Sequence, residues 1–432
     1  MDNIAPANIV LAERDGCLER QPDDPAQPNP ERPFLKLTSA AFSFFVAGLN
    51  DGSLGALLPY VLRTWDLSMN LVVVIYAATF LGWFVAALTN FSLRHYLGLG
   101  AMLALGAVLQ TVAHALRSWM PPFALYTVTY FLVSLGQAFN DTHANDFVSS
   151  VKSAHRWLGV IHAMYMAGCL VGPLVATAIA TTDPRWYLFY VVPSGLGVIN
   201  LTLIVIAFRD KMTVRIRRHL VDQSGQSSVG RDALLEMKNT LRLPAVWIMS
   251  LYFFFFLGAA VTAGGWVAEY LVNVRHGRLS EMGYIPTGLY GGAFLGRLLL
   301  AEPTHRLGER RMIVFYAVLC VCLQLVFWLV PNIIIEAVAI SLLGFFSGPF
   351  FATGISVASK LFPADVKSSG IACVFVLGQI GGSIFPILTG VIATRAGVQV
   401  LQPMLVALFC AAGGSWLLLP KRPESLLEIS AT

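Results

Sequence analysis

The sequence predicts an all-α membrane protein: twelve transmembrane helices, arranged as two six-helix pseudo-repeats around a central cavity. Three observations lead there. The 432 residues are 56% hydrophobic and only 12% charged, with a mean hydropathy of +0.68, whereas soluble domains carry roughly 25% charged residues. The apolar residues come in runs of about 20, the length a helix needs to cross the hydrocarbon core. The second half of the chain also weakly repeats the first.

Residues 1–37 are polar and Pro-rich ("RQPDDPAQPNPERP"), with no charged-then-apolar signal pattern. They are expected to form a disordered cytoplasmic tail, the first span serving as its own insertion signal. Spans are expected near 38–61, 69–93, 97–117, 121–146, 157–181 and 186–208, giving an N-terminal six-helix bundle over 38–208. The segment 209–243, with eight basic and four acidic residues, reads as a cytoplasmic linker able to rest on anionic lipid headgroups. A second bundle over 244–419 should hold spans near 244–271, 283–300, 311–330, 333–359, 367–394 and 398–419, before a short cytoplasmic tail at 420–432. Gly and Pro interrupt several spans, which membrane bundles tolerate because neighbouring helices re-satisfy the backbone.

With the N-terminus inside, only six of the 29 Lys and Arg fall on the outer side: Arg63, Arg117, Arg185, Arg275, Arg278 and Arg395. Arg297 lies within a span. The positive-inside rule therefore places both termini in the cytoplasm of a multi-pass protein, expected in the plasma membrane. The inner loops account for the net charge of +5, so no nucleic-acid partner is needed. Cys17 lies in the tail, and Cys169, Cys320, Cys322, Cys373 and Cys410 lie in spans, without zinc-ligand spacing or an outer-loop disulfide partner. Sequons at Asn90, Asn140 and Asn200 fall within or at the inner ends of spans, out of a glycosyltransferase's reach. No histidine metal box, nucleophile motif or phosphate-binding GxxxxGKS/T occurs. That argues against an enzyme, a bound metal or cofactor, and an ATP-driven pump. The expected partners are a small-molecule substrate, protons and membrane lipids, with the chain acting as a monomer.

The repeat is seen by laying "GLNDGSLGALLPY" (48–60) on "GAAVTAGGWVAEY" (258–270), which matches Gly48, Gly55 and Tyr60 to Gly258, Gly265 and Tyr270. "HYLG" at 95–98 answers "HRLG" at 305–308, and "LGQAFND" at 135–141 answers "LGFFSGP" at 343–349. The fifth and eleventh spans both begin with glycine, Gly159 and Gly370. Duplicated halves about a central cavity are a transporter architecture. Twelve spans as six plus six, with a basic central loop, resemble the major facilitator superfamily over nearly the whole chain. "GRLLLAEPTHRLGERR" at 296–311 looks like that superfamily's loop motif, with His305 where the motif usually has Asp. The resemblance implies gating roles for Arg297, Arg306, Gly308 and Arg310. The first-half copy, "NFSLRHYLGLG", has diverged further. "GCLVGP" at 168–173 resembles the Gly-Pro motif of proton-antiporting drug exporters, implying a conformational role for Gly168, Gly172 and Pro173, although the usual terminal glycine pair reads Ala176-Thr177.

A charge inside a span costs about 2.5–3.5 kcal/mol or more, so it usually lines a cavity or serves a function. Asp51 lies near the middle of the first span, among Gly48, Gly52 and Gly55, which permit close packing or local unwinding. In the fourth span Ser134, Gln137, Asp141 and Asn145 recur at steps of three and four, a polar stripe suited to an aqueous cavity. Asp146 sits nearer the inner mouth and reads as an interfacial cap. Asn50-Asp51 ahead of "LLP" at 57–59, and Asp141 opening "DTHAN" at 141–145, resemble the sugar–proton symporters of the fucose-permease type. A poorly characterised fungal group related to them shares the "GLNDGSLGALLPY"-like signature. The resemblance implies that Asp51 and Asp141 serve proton transfer and substrate binding. The family's fourth-helix Glu is Asp141 here, and the spacing from Asp51 to Pro59 is longer, so substrate identity does not carry over. Independently of the family, a carboxylate moved between a dry and a wet setting takes up and releases a proton.

Further cavity candidates are Asn50, Gln137, Asn145, His162, Trp266, Tyr290 and Gln379, with Glu269 and Tyr270 near the outer end of the seventh span. An interfacial aromatic belt explains Trp266, Tyr270 and Tyr290 equally well, and His162 and His114, candidates for a proton relay, read better as packed polar residues. Two readings of Arg297 stand: an anchor for an anion or carboxylate, or a snorkelling member of the loop motif. The function expected is proton-coupled transport of a small organic solute by alternating access. Uptake of a sugar-like solute is favoured by the Asn50-Asp51 and "DTHAN" motifs. Efflux of a hydrophobic metabolite or drug is favoured by the Gly-Pro break and the apolar seventh and tenth spans.

Overall fold

The computed structural model describes residues 33–66, 69–151, 154–214, 238–363 and 366–420. Most of the expected tail (1–32, with Cys17), most of the linker (215–237) and the C-terminal segment 421–432 lie outside the described residues. The described chain is helical, apart from loops and one isolated bridge between Leu97 and Val214. The first half holds α1 (Pro33–Thr64), α2 (Met69–Tyr96), α3 (Leu99–Arg117), α4 (Phe123–Ser149), α5 (Ala154–Thr182) and α6 (Val191–Ala207). The second holds α7 (Pro244–Val274), α8 (Ile285–Leu299), α9 (Glu309–Leu329) and α10 (Ile333–Ser347), which continues past a break as Pro349–Leu361, then α11 (Lys367–Ala396) and α12 (Leu401–Leu417).

Among the described residues, ten helical segments are long and apolar enough to cross a membrane. The two expected spans outside that group are α4, which carries the polar stripe, and α8, which is only 15 residues long. Helix α1 starts at Pro33, ahead of the expected boundary at residue 38, so residues 33–37 belong to the bundle rather than to the tail. Proline suits the first helical turn, where its missing N–H has no partner to lose. The fully buried Lys36 ammonium then reaches Asp210 at 2.6 Å, tying the start of α1 to the end of α6.

Two glycine pairs spaced i, i+4 dock α1 on α5. A Cβ at Gly48 would overlap the Tyr165 carbonyl, and one at Gly52 the Cys169 carbonyl. Reciprocally, a Cβ at Gly168 would overlap the Phe45 carbonyl, and one at Gly172 would lie 2.5 Å from the Leu49 carbonyl. Small residues at such spacing let membrane helices approach backbone to backbone. Pro173 cannot donate to the carbonyl four residues earlier, which is the Cys169 carbonyl seated against Gly52. The second half repeats the device: Pro349 removes the N–H four residues beyond Phe345, whose carbonyl accepts from Gly348 instead and lies against Gly296 of α8.

The halves meet by van der Waals contact. Gly55 of α1 lies against the Gly264 carbonyl of α7, Gly265 takes the Tyr76 hydroxyl, and Thr177 of α5 abuts Gly283. Leu58, Leu62, Val72 and Tyr76 share one buried cluster with Trp266, Val267 and Tyr270. All of these lie toward the face opposite the one that carries residues 33 and 420, so the halves are in contact at that face.

Two expectations follow. Gly48→Leu, which drives a side chain into the α5 backbone, should cost at least about 1–3 kcal/mol and deplete the monodisperse peak in size-exclusion chromatography. Gly195→Leu, at a site with nothing within 4 Å, should leave that peak intact. Burial works against charge on Asp210, but the Lys36 hydrogen bond and charge outweigh it and hold its carboxyl below the ordinary range. Asp210→Asn should therefore lower stability at neutral pH by about 1 kcal/mol, since solvent at the exposed Asp210 screens the pair. Because the folded-state pKa is depressed, that contribution is present above the unfolded carboxylate value near 4 and lost as pH falls through the lowered one. Thermal unfolding of wild type and Asp210→Asn across pH 3–7 measures the convergence.

Candidate transport site around Asp51

Asp51 is placed by the α1–α5 contact. Gly48 and Gly52 bring α5 so close that the Tyr165 hydroxyl donates to Asp51 Oδ2 at 2.8 Å. Gln137 of α4 donates Nε2 to the same oxygen at 2.8 Å. Asn50, its chain neighbour, donates Nδ2 to Oδ1 at 2.9 Å. One carboxylate in the middle of the first half thus receives three donors from three helices. Gln137 also faces Asp141, one turn further along α4, and Asp141 lies within the field of Asp51. The Tyr290 phenol of α8 faces Asp51 from the second half and rests against Gly264. The site therefore sits at the junction of α1, α4, α5 and α8.

Of the residues singled out in the sequence, Asn50, Asp51, Gln137, Asp141 and Tyr290 come together here. Asn145 turns its amide back to the Asp141 carbonyl of its own helix, at 2.9 Å. His162 packs between Phe44 and Phe351, ring centroids 5.4 and 5.9 Å away. Trp266 is fully buried in the cluster joining the halves. Gln379 is half-buried on α11, its side chain beside Gly382. Glu269 accepts from Asn273 one turn further along α7. Asp146 pairs with Arg94 at 3.3 Å on the exposed surface. Gly168, Gly172 and Pro173 form the α5 side of the docking contact.

Arg297 does not run out to the surface. Its guanidinium lies 5.7 Å from the Phe351 ring centroid, its Nε is buried without a hydrogen-bond partner among the described residues, and it faces His162, Tyr165 and Cys169 across the junction of the halves. The remaining loop-motif residues are peripheral. Arg306 pairs with Glu302 at 2.5 Å, Arg310 donates to the Leu419 and Pro420 carbonyls, and Gly308 turns the chain with φ +99°. Glu309 binds Lys360 at 2.8 Å and Ser356 at 2.9 Å, bracing α9 against the continuation of α10.

Two residues of the site escaped the sequence analysis. Tyr165 precedes Gly168 and Gly172 by three and seven positions, which is the spacing of one helix face. Arg117, counted there among the outer-side charges, is fully buried instead. It donates Nη1 to Asn50 Oδ1 at 3.0 Å and Nε to Thr129 at 2.6 Å. Its signal was a stripe of Gln110, His114 and Arg117 at i, i+4 and i+7 in an otherwise apolar span.

A sequence profile of the Major Facilitator Superfamily matches residues 40–334 and 249–431. Bypass of stop codon protein 6 of Saccharomyces cerevisiae is 27% identical over 414 residues, covering 90% of this chain and 82% of the relative. A glucose/galactose transporter of Brucella abortus is 22% identical over 406 residues, covering 88% and 93%. The crystal structure of the E. coli fucose:proton symporter superposes with a TM-score of 0.60 at 19% identity, over 90% of this chain and 99% of that one.

Removing the Tyr165 hydroxyl leaves the glycine contacts in place. Tyr165→Phe should therefore fold, with a loss of about 1 kcal/mol in thermal unfolding, whereas Tyr165→Ala should lose more because the ring's packing goes as well.

Proposed function

The chain belongs to the Major Facilitator Superfamily, and on that premise we propose that it is a proton-coupled carrier taking up a small, neutral, sugar-like solute by alternating access. The observation that carries the reading is the Asp51 carboxylate, mid-span at the junction of the halves, with Asp141 in its field and donors from three helices around it. A carboxylate in that position is expensive unless it serves the transport cycle. The cycle follows from elementary electrostatics. When the cavity opens to water the charged form of a carboxylate is favoured, and when it closes the neutral form is favoured. Proton uptake on one side and release on the other then accompany the rocking of the halves. Asp141 completes the polar wall with Gln137, and solute hydroxyls compete for their hydrogen bonds. Tyr290 supplies an aromatic contact from the second half. The contact of Gly55 with Gly264 forms the outer gate, with both termini in the cytoplasm of a monomeric plasma-membrane protein. Relatives described as a glucose/galactose transporter and a fucose:proton symporter support the solute class.

The efflux reading is favoured by a different observation, the aromatic packing of the second half. Phe351 meets Phe253 and Phe375 at 5.5 and 5.4 Å, next to Arg297. A flat hydrophobic solute would stack there.

Proteoliposomes with an acid exterior one pH unit below the lumen separate the two. With one proton per solute, that gradient drives accumulation up to about tenfold. Labelled glucose, galactose, fucose and xylose serve as probes, and at least one should accumulate. Asp51→Asn should abolish accumulation while retaining exchange of labelled for unlabelled solute. If none of the sugars accumulates while a hydrophobic dye is driven toward the acid side, uptake gives way to efflux. If Asp51→Asn accumulates solute as well as wild type, Asp51 is not the coupling group.

A further inference from the structure

Arg117 is a buried cation held by neutral groups. Besides Asn50 and Thr129, its guanidinium lies 3.7 Å from the Tyr130 ring centroid, 5.2 Å from Tyr190 and 5.8 Å from Tyr126. The three tyrosines are tied to one another through their hydroxyls at 2.8 to 3.2 Å. His114 is stacked on Tyr190 from the same helix as Arg117, with centroids 6.5 Å apart. Aromatic faces attract a cation, but taking a full charge out of water normally calls for an anion. The carboxylate within its field is Asp51, one amide away. The other titratable groups facing Asp51 are Asp141 from α4, Tyr165 and Cys169 from α5, and Tyr290 from α8. None of these carries positive charge. Arg297 faces Tyr165 and Cys169 behind them.

The intervening amide has one possible orientation. A guanidinium only donates, so Asn50 must present Oδ1 to Arg117 and Nδ2 to Asp51. Asp51 Oδ1 therefore always faces a donor. Oδ2 faces the Tyr165 hydroxyl, which can reverse from donor to acceptor, and the Gln137 amide, which can turn its carbonyl inward.

We propose that Arg117 is a positioning residue for Asp51, its fixed counter-charge acting through Asn50, and that this arrangement makes Oδ2 the oxygen that carries the transported proton. The inference rests on the reading of Asp51 as the coupling carboxylate. On uptake the proton joins Oδ2, which turns from acceptor to donor toward Tyr165 or Gln137, while Asn50 keeps donating to Oδ1. On release the guanidinium compensates the restored negative charge through the amide dipole. No solute contact by Arg117 is involved.

Infrared titration of the purified full-length carrier in nanodiscs tests this without a known substrate. The carboxylic C=O band lost in Asp51→Asn is the Asp51 band. An opposite charge at contact favours the charged form by about 1–3 pH units. One amide further off, Arg117→Gln should move the disappearance of that band to alkaline pH by about one unit, and Arg117→Lys should restore it. Asn50→Leu breaks the relay with Arg117 still in its cage. It should produce a similar shift, and the double variant Arg117→Gln/Asn50→Leu should show less than the sum. The C=O band reports the oxygen without the proton. Asn50→Leu should therefore raise its frequency more than Tyr165→Phe does.

An unchanged midpoint in either Arg117→Gln or Asn50→Leu overturns the counter-charge role, as does a Tyr165→Phe frequency change exceeding that of Asn50→Leu for the choice of oxygen. Neither result touches the reading of Asp51. That reading fails separately if no band removed by Asp51→Asn titrates in the wild type. If Arg117→Gln does not fold, the decision falls to Asn50→Leu.

Discussion

The site depends on how closely α1 and α5 can approach. Gly48 and Gly52 on one helix, and Gly168 and Gly172 on the other, let carbonyls of each press against the backbone of its neighbour. Lipid chains are as apolar as leucine, so helix association in a bilayer draws on dispersion and complementary shape rather than the hydrophobic effect. Glycine at these positions converts shape into proximity. The functional consequence is the reach of one side chain. Tyr165 can donate to Asp51 because its own carbonyl is already seated against Gly48. Pro173 contributes by leaving the Cys169 carbonyl without a helical N–H, at the point where Gly52 receives it.

Around that contact the first half arranges two opposite charges that do not touch. Asp51 and Arg117 are separated by the Asn50 amide, hydrogen-bonded on both sides. A direct buried ion pair would hold the carboxylate permanently charged, because breaking such a pair leaves an uncompensated ion. An amide between them keeps the attraction but weakens it, leaving both protonation states of the carboxylate within reach. The tyrosine cage completes the arrangement by surrounding the guanidinium with three ring faces. The second half is built differently. Its interior is a phenylalanine-rich cluster, and two of its ion pairs, Arg275 with Glu336 at 2.5 Å and Glu309 with Lys360 at 2.8 Å, sit toward the ends of the bundle. Under the proposed function the group that changes protonation state lies in the first half, and the second half directs Tyr290 and Arg297 at the junction.

The repeat gains a physical meaning at the same junction. Gly55 and Gly265 match each other in the two halves, and in the fold Gly55 rests on Gly264 with Gly265 beside it. Corresponding turns of α1 and α7 therefore meet near the pseudo-symmetry axis. Contacts of small residues such as Gly55 on Gly264 can separate without breaking hydrogen bonds, which suits the alternating access proposed above.

The class of the protein was determined by the sequence alone. Hydropathy, span length and the six-plus-six repeat depend on local composition, and the bilayer enforces helices wherever such runs occur. The polar stripe of α4 was also legible, because Gln137 and Asp141 share a face by the helical period alone. So was the oddity of Asp51, since a carboxylate in an apolar span is conspicuous in any context. Tyr165 and Arg117 were not legible. Tyrosine is ordinary in a membrane span, and an arginine at a span's end looks like an interfacial charge. Their roles come from which helix packs on which, and how closely. That is decided by backbone contacts between residues far apart in the chain, which carry no periodic signal along it. Arg297 shows the same limit: sequence left it between surface and cavity, and only the placement of Phe351 beneath its guanidinium directed it inward.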